Sequence, residues 1–96
     1  MRKDKIVQIE IDELGKFHVK PDFEKFTLIY RTATQVHWDK NKQTLYSPIP
    51  KDWDYLEWYK HIIKVAKTEC FVELNISEKT IWLNIPDGLK KEITKA

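Results

Sequence analysis

With 96 residues, 42% of them apolar and 33% charged, the chain has material for one hydrophobic core and reads as a single domain over residues 1–96. Seventeen Lys and Arg against fifteen Asp and Glu leave a formal charge of +2, too small to argue for a polyanionic partner, so nucleic acid is not expected. The first twenty residues alternate charged and apolar side chains, no apolar run has the length of a membrane span, and a single cysteine, Cys70, has no internal partner. These features predict a cytoplasmic protein of a reducing compartment, with no membrane association.

In chain order, Ile6 to Asp12 and Lys16 to Lys20 alternate with period two, and Glu13-Leu14-Gly15 between them reads as a hairpin loop in which Gly15 takes positive φ. That register sets Asp12 opposite Lys16 and Glu10 opposite His18, with Val7, Ile9 and Ile11 on the inner face. Phe26 to Thr32 is apolar on both sides and predicts a central third strand. Val36 to Trp38 and Gln43 to Tyr46 flank the polar loop Asp39-Lys40-Asn41-Lys42, predicting a second hairpin that pairs Val36 with Leu45 and His37 with Thr44. Ser47-Pro48-Ile49-Pro50 then forms an extended connector.

The next element is the best signposted. Asp54 as N-cap puts Glu57 at the third helical position of a capping box, and Trp53 and Trp58 where a hydrophobic staple needs them. On a helical wheel Tyr55, Leu56, Tyr59, Ile62, Ile63 and Ala66 share one arc, opposite Glu57, Lys60, Lys64 and Lys67. Cys70 to Ile76 and Thr80 to Ile85 predict a third hairpin, with Phe71, Glu73, Trp82 and Asn84 on the side away from the core, and Pro86-Asp87 opens a short basic helix. The predicted class is α+β: a mostly antiparallel sheet built of hairpins, order β-β-β-β-β-α-β-β-α, packed on one long amphipathic helix.

No reaction is legible in these residues. The three histidines lack the short spacings of a zinc motif, the two glycines form no phosphate loop, and Asp52 with Asp54 suits a helix N-terminus. Cys70 alternates with Val72 and Leu74 and points inward, where a thiol behaves as a small hydrophobe. No catalytic residue, metal ligand or cofactor is therefore assigned.

The four tryptophans carry more information. One helix of about 20 Å covers one side of a sheet, which leaves Trp82, Phe71, Ile29, Arg31, His37 and Tyr46 on a face too apolar for bare solvent. The curl of the first hairpin, a second copy of the chain or a ligand would cover it, and a closed dimer is the commonest solution. The stripe Trp58, His61, Val65 is a second possible contact, unless it is tucked under the Pro48 to Pro50 connector. The resulting expectation is a non-enzymatic binding or adaptor domain that self-associates and engages a protein or small ligand through an aromatic sheet face. The alternatives are a small enzyme with a His/carboxylate pocket and, behind it, a nucleic-acid-binding module.

The run Tyr46-Ser47-Pro48-Ile49-Pro50-Lys51-Asp52-Trp53-Asp54-Tyr55-Leu56-Glu57-Trp58, followed by Tyr59-Lys60-His61-Ile62, resembles small uncharacterised bacterial proteins, including those carried by integron gene cassettes. The resemblance implies compactness, bacterial origin and a leaning toward self-association, and no shared activity.

Overall fold

The first alternating run folds back on itself as its pattern requires. In the computed structural model, which describes residues 1–96, β1 (Arg2–Ile11) returns through Gly15 as β2 (Phe17–Pro21), with Glu10 opposite His18. Gly15 takes φ +88°, a conformation in which a Cβ is strained. Asp12 fastens the turn by accepting from the N–H groups of Leu14 and Lys16, each at 2.9 Å. The strict alternation of β1 breaks at Val7, where the register shifts, so Ile6 and Ile9 both lie fully buried.

The predicted third strand is a short turn instead. Phe26 and Ile29, three residues apart, are buried, while Leu28 and Tyr30 are exposed; that spacing suits the 3₁₀ turn Ile29–Thr32, which the Thr32 hydroxyl closes on the Ile29 carbonyl at 2.8 Å. The second hairpin forms, as β3 (His37–Asp39) and β4 (Thr44–Tyr46). Its register is slid two residues from the prediction, pairing His37 with Tyr46 and Asp39 with Thr44. The cause is Asp39, whose carboxylate accepts from Asn41 and Lys42 at 2.9 Å and so belongs to the strand end rather than the loop. Because the slide is two residues, each side chain keeps its predicted face.

Helix α1 (Tyr55–Cys70) begins as predicted: Asp54 accepts from the Glu57 N–H at 2.9 Å, and the Trp53 and Trp58 rings meet at 4.8 Å. It runs longer than expected, taking Cys70 as its last residue and Phe71 as a left-handed C-cap at φ 58°. The predicted third hairpin is one continuous strand, β5 (Val72–Leu83). Its supposed turn is a bulge: β5 advances from Ile76 to Ile81 while β1 advances only from Ile6 to Gln8. Thr80 holds the bulge by donating to the Ile6 carbonyl at 2.6 Å and accepting from the Ser77 N–H at 3.0 Å. Helix α2 (Asp87–Lys95) follows.

The five strands form a single sheet in the order β3-β4-β2-β1-β5. It is mixed rather than built of hairpins throughout, because α1 carries the chain from β4 to β5 and leaves β5 parallel to β1. The class is α+β with two helices. The registers define one row of side chains, Trp38, Leu45, Val19, Ile9 and Trp82, on the side facing α1, and another, His37, Tyr46, His18, Glu10 and Leu83, on the opposite side. Phe17 packs on Tyr55 and Tyr59, which locks the helix to the first row. The Tyr59 hydroxyl, pushed up to about 12 by burial, stays protonated there.

One buried charge ties the loop after β2 to the sheet. Asp4, 6% exposed, accepts from the N–H groups of Phe23 at 2.9 Å and Glu24 at 2.8 Å with one oxygen, and from Lys5 at 2.9 Å with the other. Asp4→Ala leaves these donors without their acceptor and is expected to cost about 3 kcal/mol. Urea denaturation measures the loss, and a change within error would show that the loop is anchored by other contacts.

Candidate functional site

The six residues predicted to share an exposed aromatic face are not brought together. Trp82 lies in the row facing α1, with the Lys90 ammonium of α2 5.5 Å from its ring centre. The bulge in β5 displaced it from the other face. Ile29 is buried at 3% exposure in the 3₁₀ turn, Arg31 is exposed beside the Tyr30 ring, and Phe71, 66% exposed, projects from the end of α1 rather than from the sheet. His37 and Tyr46 do meet, on the side of the sheet away from α1, with ring centres 5.3 Å apart.

That side also carries a polar group of which only the Glu10–His18 pairing was legible in the sequence. His18, 2% exposed, stacks on Tyr46 at 5.4 Å, and its Nε2 and Nδ1 lie 2.7 Å from Asp12 Oδ2 and Thr44 Oγ1. Lys42 pairs with Glu10 at 3.4 Å, and Lys16 sits 5.4 Å from the Tyr46 ring centre. Partial burial pushes Asp12 upward, but hydrogen bonds from His18 and from the Lys16 and Leu14 N–H groups outweigh it and hold the carboxyl below its ordinary value. Carboxylate, imidazole and hydroxyl align as in a nucleophilic relay. Thr44, however, is 1% exposed, and none of the three main cavities is lined by any of the three groups. The arrangement therefore fastens β2 to β4 and to the hairpin turn.

The second predicted contact leads to a cleft. Trp58 and Val65 are buried within the single chain, Val65 in the main core and Trp58 against Trp53 at the end of the connector. Trp58 and His61 nonetheless line a cavity of about 520 Å³, closed on its other sides by Ala33-Thr34-Gln35 and by the connector from Pro48 to Trp53. Its wall is an edge-to-face cluster: Trp53 lies 5.0 Å from His61 at 71°, and Trp58 lies 5.6 Å from His61 at 75°. His61 Nε2 stands 2.9 Å from the Thr34 carbonyl oxygen and so donates to it, which ties α1 to the 33–35 segment.

That segment is strained. Ala33 and Gln35 take φ 54° and 68°, in the left-handed region that side chains disfavour. The Thr34 and Gln35 N–H groups donate to no backbone or side-chain acceptor in the chain. The buried indole N–H of Trp58 also lacks an acceptor. Trp38 shares this deficit, but it is packed on Phe26 and borders none of the main cavities. Lys51 and Asp52 complete the lining. Trp53, at 40% exposure, is the open part of the aromatic wall. The proline connector and the staple pair were visible in the sequence; the approach of residues 33–35 was hidden by the strand reading of the preceding segment.

Elsewhere, the Cys70 thiol is half-buried and raised by that burial and by Glu69, against the opposing effect of Arg2. It is a protonated thiol at neutral pH. No group of three His, Cys, Asp or Glu side chains is placed to hold a metal ion, and no helix is long and apolar enough to cross a membrane.

Comparison with known proteins gives two findings. The family model described as "Integron Cassette Protein Hfx_Cass5" matches residues 4–80. A solved structure of an integron cassette protein, Hfx_Cass5, from the mobile metagenome of the North West Arm sewage outfall is similar at 37% identity and a TM-score of 0.52, over 99% of this chain and 95% of that one. Comparison with curated proteins gives no match.

The Asp12 network has a signed pH dependence. Its carboxyl titrates lower folded than unfolded, so its contribution is fully present above the unfolded value and is lost as pH falls below about 4. The stability gap between the native chain and Asp12→Asn is expected to shrink as pH falls across that acid range. Urea titrations from neutral to acid pH measure it, and a gap independent of pH would remove the carboxylate from the account.

Proposed function

This chain belongs to the Hfx_Cass5 integron cassette protein family, and we propose that it works as a non-enzymatic binding domain whose ligand site is the cleft between α1, the connector and residues 33–35. The observation that carries this reading is the Trp58 indole N–H, buried beside a cavity with no acceptor. Such a donor costs about 1–3 kcal/mol, a cost offset when a ligand brings the acceptor. Thr34 and Gln35, whose N–H groups have no acceptor in the chain, border the same space. A volume of about 520 Å³ suits a small molecule. Trp53 supplies a face for stacking, and three donors call for an acceptor edge, so the ligand class is a planar ring carrying a carbonyl or carboxylate. Trp58 Nε1 is closed to solvent, so admitting the ligand requires a shift of a neighbour, of which the half-exposed Trp53 ring, 4.8 Å from Trp58 and tilted by 57°, is the nearest aromatic one.

Amide and indole NMR shifts with benzoate, nicotinate and indole-3-acetate test the reading. Changes are expected at Ala33, Thr34, Gln35 and the Trp58 indole, with affinity about tenfold weaker in Trp53→Ala. No response at millimolar concentration, or shifts spread away from these residues, would end it.

A second reading concerns self-association, and the side of the sheet away from α1 favours a second copy of the chain. Ile81 and Leu83 are 54% and 40% exposed there, on strand β5, in line with His37 and Tyr46. Glu10 is met by Lys42 and Asp12 by His18 on this face, while Lys16 and Lys20 stand there without an ion pair. A two-fold copy would therefore meet it at the apolar β5 margin, Ile81 and Leu83. Light scattering is expected to give a dimer that Leu83→Asp dissociates. A monomer at every concentration excludes it.

A further inference from the structure

The far flank of α1 carries a second cavity, also about 520 Å³, between α1, the end of α2 and the first half of β5. Its floor is apolar: Leu74 and Ile93 are buried, and Ile63 and Ile76 are half-buried. Its rim is basic. Lys60, Lys64 and Lys67 stand at i, i+4 and i+7 along α1, all exposed and all lining the groove, and none takes part in an ion pair. The one carboxylate side chain in the lining, Glu73, is engaged by Lys3 at 3.8 Å and by Asn75 at 3.4 Å. Three lysines engaged in no ion pair therefore face an apolar trough.

The strand that forms one bank of this groove is also incomplete. β5 ends the sheet and pairs only with β1, so one row of its N–H and C=O groups has no strand partner. The bulge from Ile76 to Ile81, with Glu78 and Lys79 exposed on it, blunts the second half of that edge. The first half, Val72–Ile76, pairs with β1 in unbroken register from Arg2 to Ile6 and has no such guard. The exposed edge and the basic groove thus coincide at Glu73, Leu74, Asn75 and Ile76.

We propose that this groove is a docking site for an extended acidic segment of a partner protein, which adds to the sheet along Val72–Ile76. Its backbone pairs with the free edge, and the side chains on its α1-facing side, which fall at every second residue, are apolar where they pass over Ile63, Ile76 and Ile93 and carboxylates where they reach Lys60, Lys64 and Lys67. Backbone pairing supplies affinity for any extended chain, and the lysines select for acidic ones. The site lies on a different flank of α1 from the aromatic cleft and does not depend on it.

An octapeptide with glutamate and valine in turn at its odd positions and threonine at its even ones is the probe, so that one strand face carries both groups, with lysine in place of glutamate as its control and a ten-nucleotide oligothymidylate as a polyanion without a strand backbone. The glutamate peptide is expected to shift the amides of residues 60–67 and 72–76, to weaken with added salt, and to lose at least about tenfold in affinity in Lys64→Glu/Lys67→Glu. Both substitutions are at exposed positions, and circular dichroism of the double variant checks that its fold is kept. The proposal is overturned if the lysine peptide binds equally, if oligothymidylate gives the same shifts, if no peptide responds at millimolar concentration, or if light scattering with β5 variants shows a second copy of the chain in the groove.

Discussion

The parallel pairing of β1 with β5 is the constraint on which the rest of this structure depends. Parallel neighbours cannot be joined by a tight turn, so the chain must leave the sheet after β4, cross one side as α1 and re-enter as β5. That single crossing puts the helical layer on one side only. It also demands a climb from sheet to helix, which Ser47 to Trp53 makes, and a stop at the far end, where Phe71 turns left-handed. The cleft is the space left under the climb, and the groove is the space left at the stop.

This dependence explains which parts of the fold were legible in the sequence. The first hairpin and the start of α1 are specified by neighbours: Gly15 for the turn, Asp54 for the cap, Trp53 with Trp58 for the staple. Each of these interactions spans five residues or fewer and is visible in the pattern. β5 is different. Two apolar runs around Ser77-Glu78-Lys79 have the look of a hairpin, and only the Ile6 carbonyl, 74 residues away, turns the gap into a bulge by accepting from Thr80. Without that contact the face of Trp82 is assigned to the wrong side. Residues Phe26 to Thr32 misled for a related reason: apolar side chains on both sides fit a central strand and equally a short turn with one side against Trp38 and the other in solvent.

The candidate sites were legible to a lesser degree, because they are made where distant segments approach. His37 beside Tyr46 survived the slide of the second hairpin, since a two-residue shift preserves faces. Trp58, His61 and Val65 were marked as a stripe, of which Trp58 and Val65 are buried within the chain and His61 lines the cleft. What no local pattern announces is the approach of Thr34 to His61, 27 residues apart, or the meeting of α1 with the end of α2 that brings Ile93 over the lysine rim. One helical layer leaves the other side of the sheet uncovered, but the exposed Phe71, Tyr30 and Trp53 rings lie off the sheet, Phe71 at the end of α1, Tyr30 in the 3₁₀ turn and Trp53 before α1.

The two sides of the sheet also differ in how their polar groups are satisfied. On the side away from α1, the acidic side chains are satisfied internally: Asp12 has His18 and two backbone donors, and Glu10 has Lys42. With Lys16 and Lys20 as its unpaired charges, that surface offers an approaching molecule mainly shape and apolar area. Around α1 the balance is reversed. The Trp58 indole and the Thr34 and Gln35 amides have no acceptors on one flank, and Lys60, Lys64 and Lys67 have no counter-ions on the other. An unmet buried donor is costly and an unpaired surface lysine is not, so the aromatic cleft has the stronger physical claim to a ligand. The basic groove draws its claim from a different source, the coincidence of those lysines with a free strand edge. Both follow from the crossing of α1, which buries one stripe of the helix and leaves its two flanks to meet other molecules.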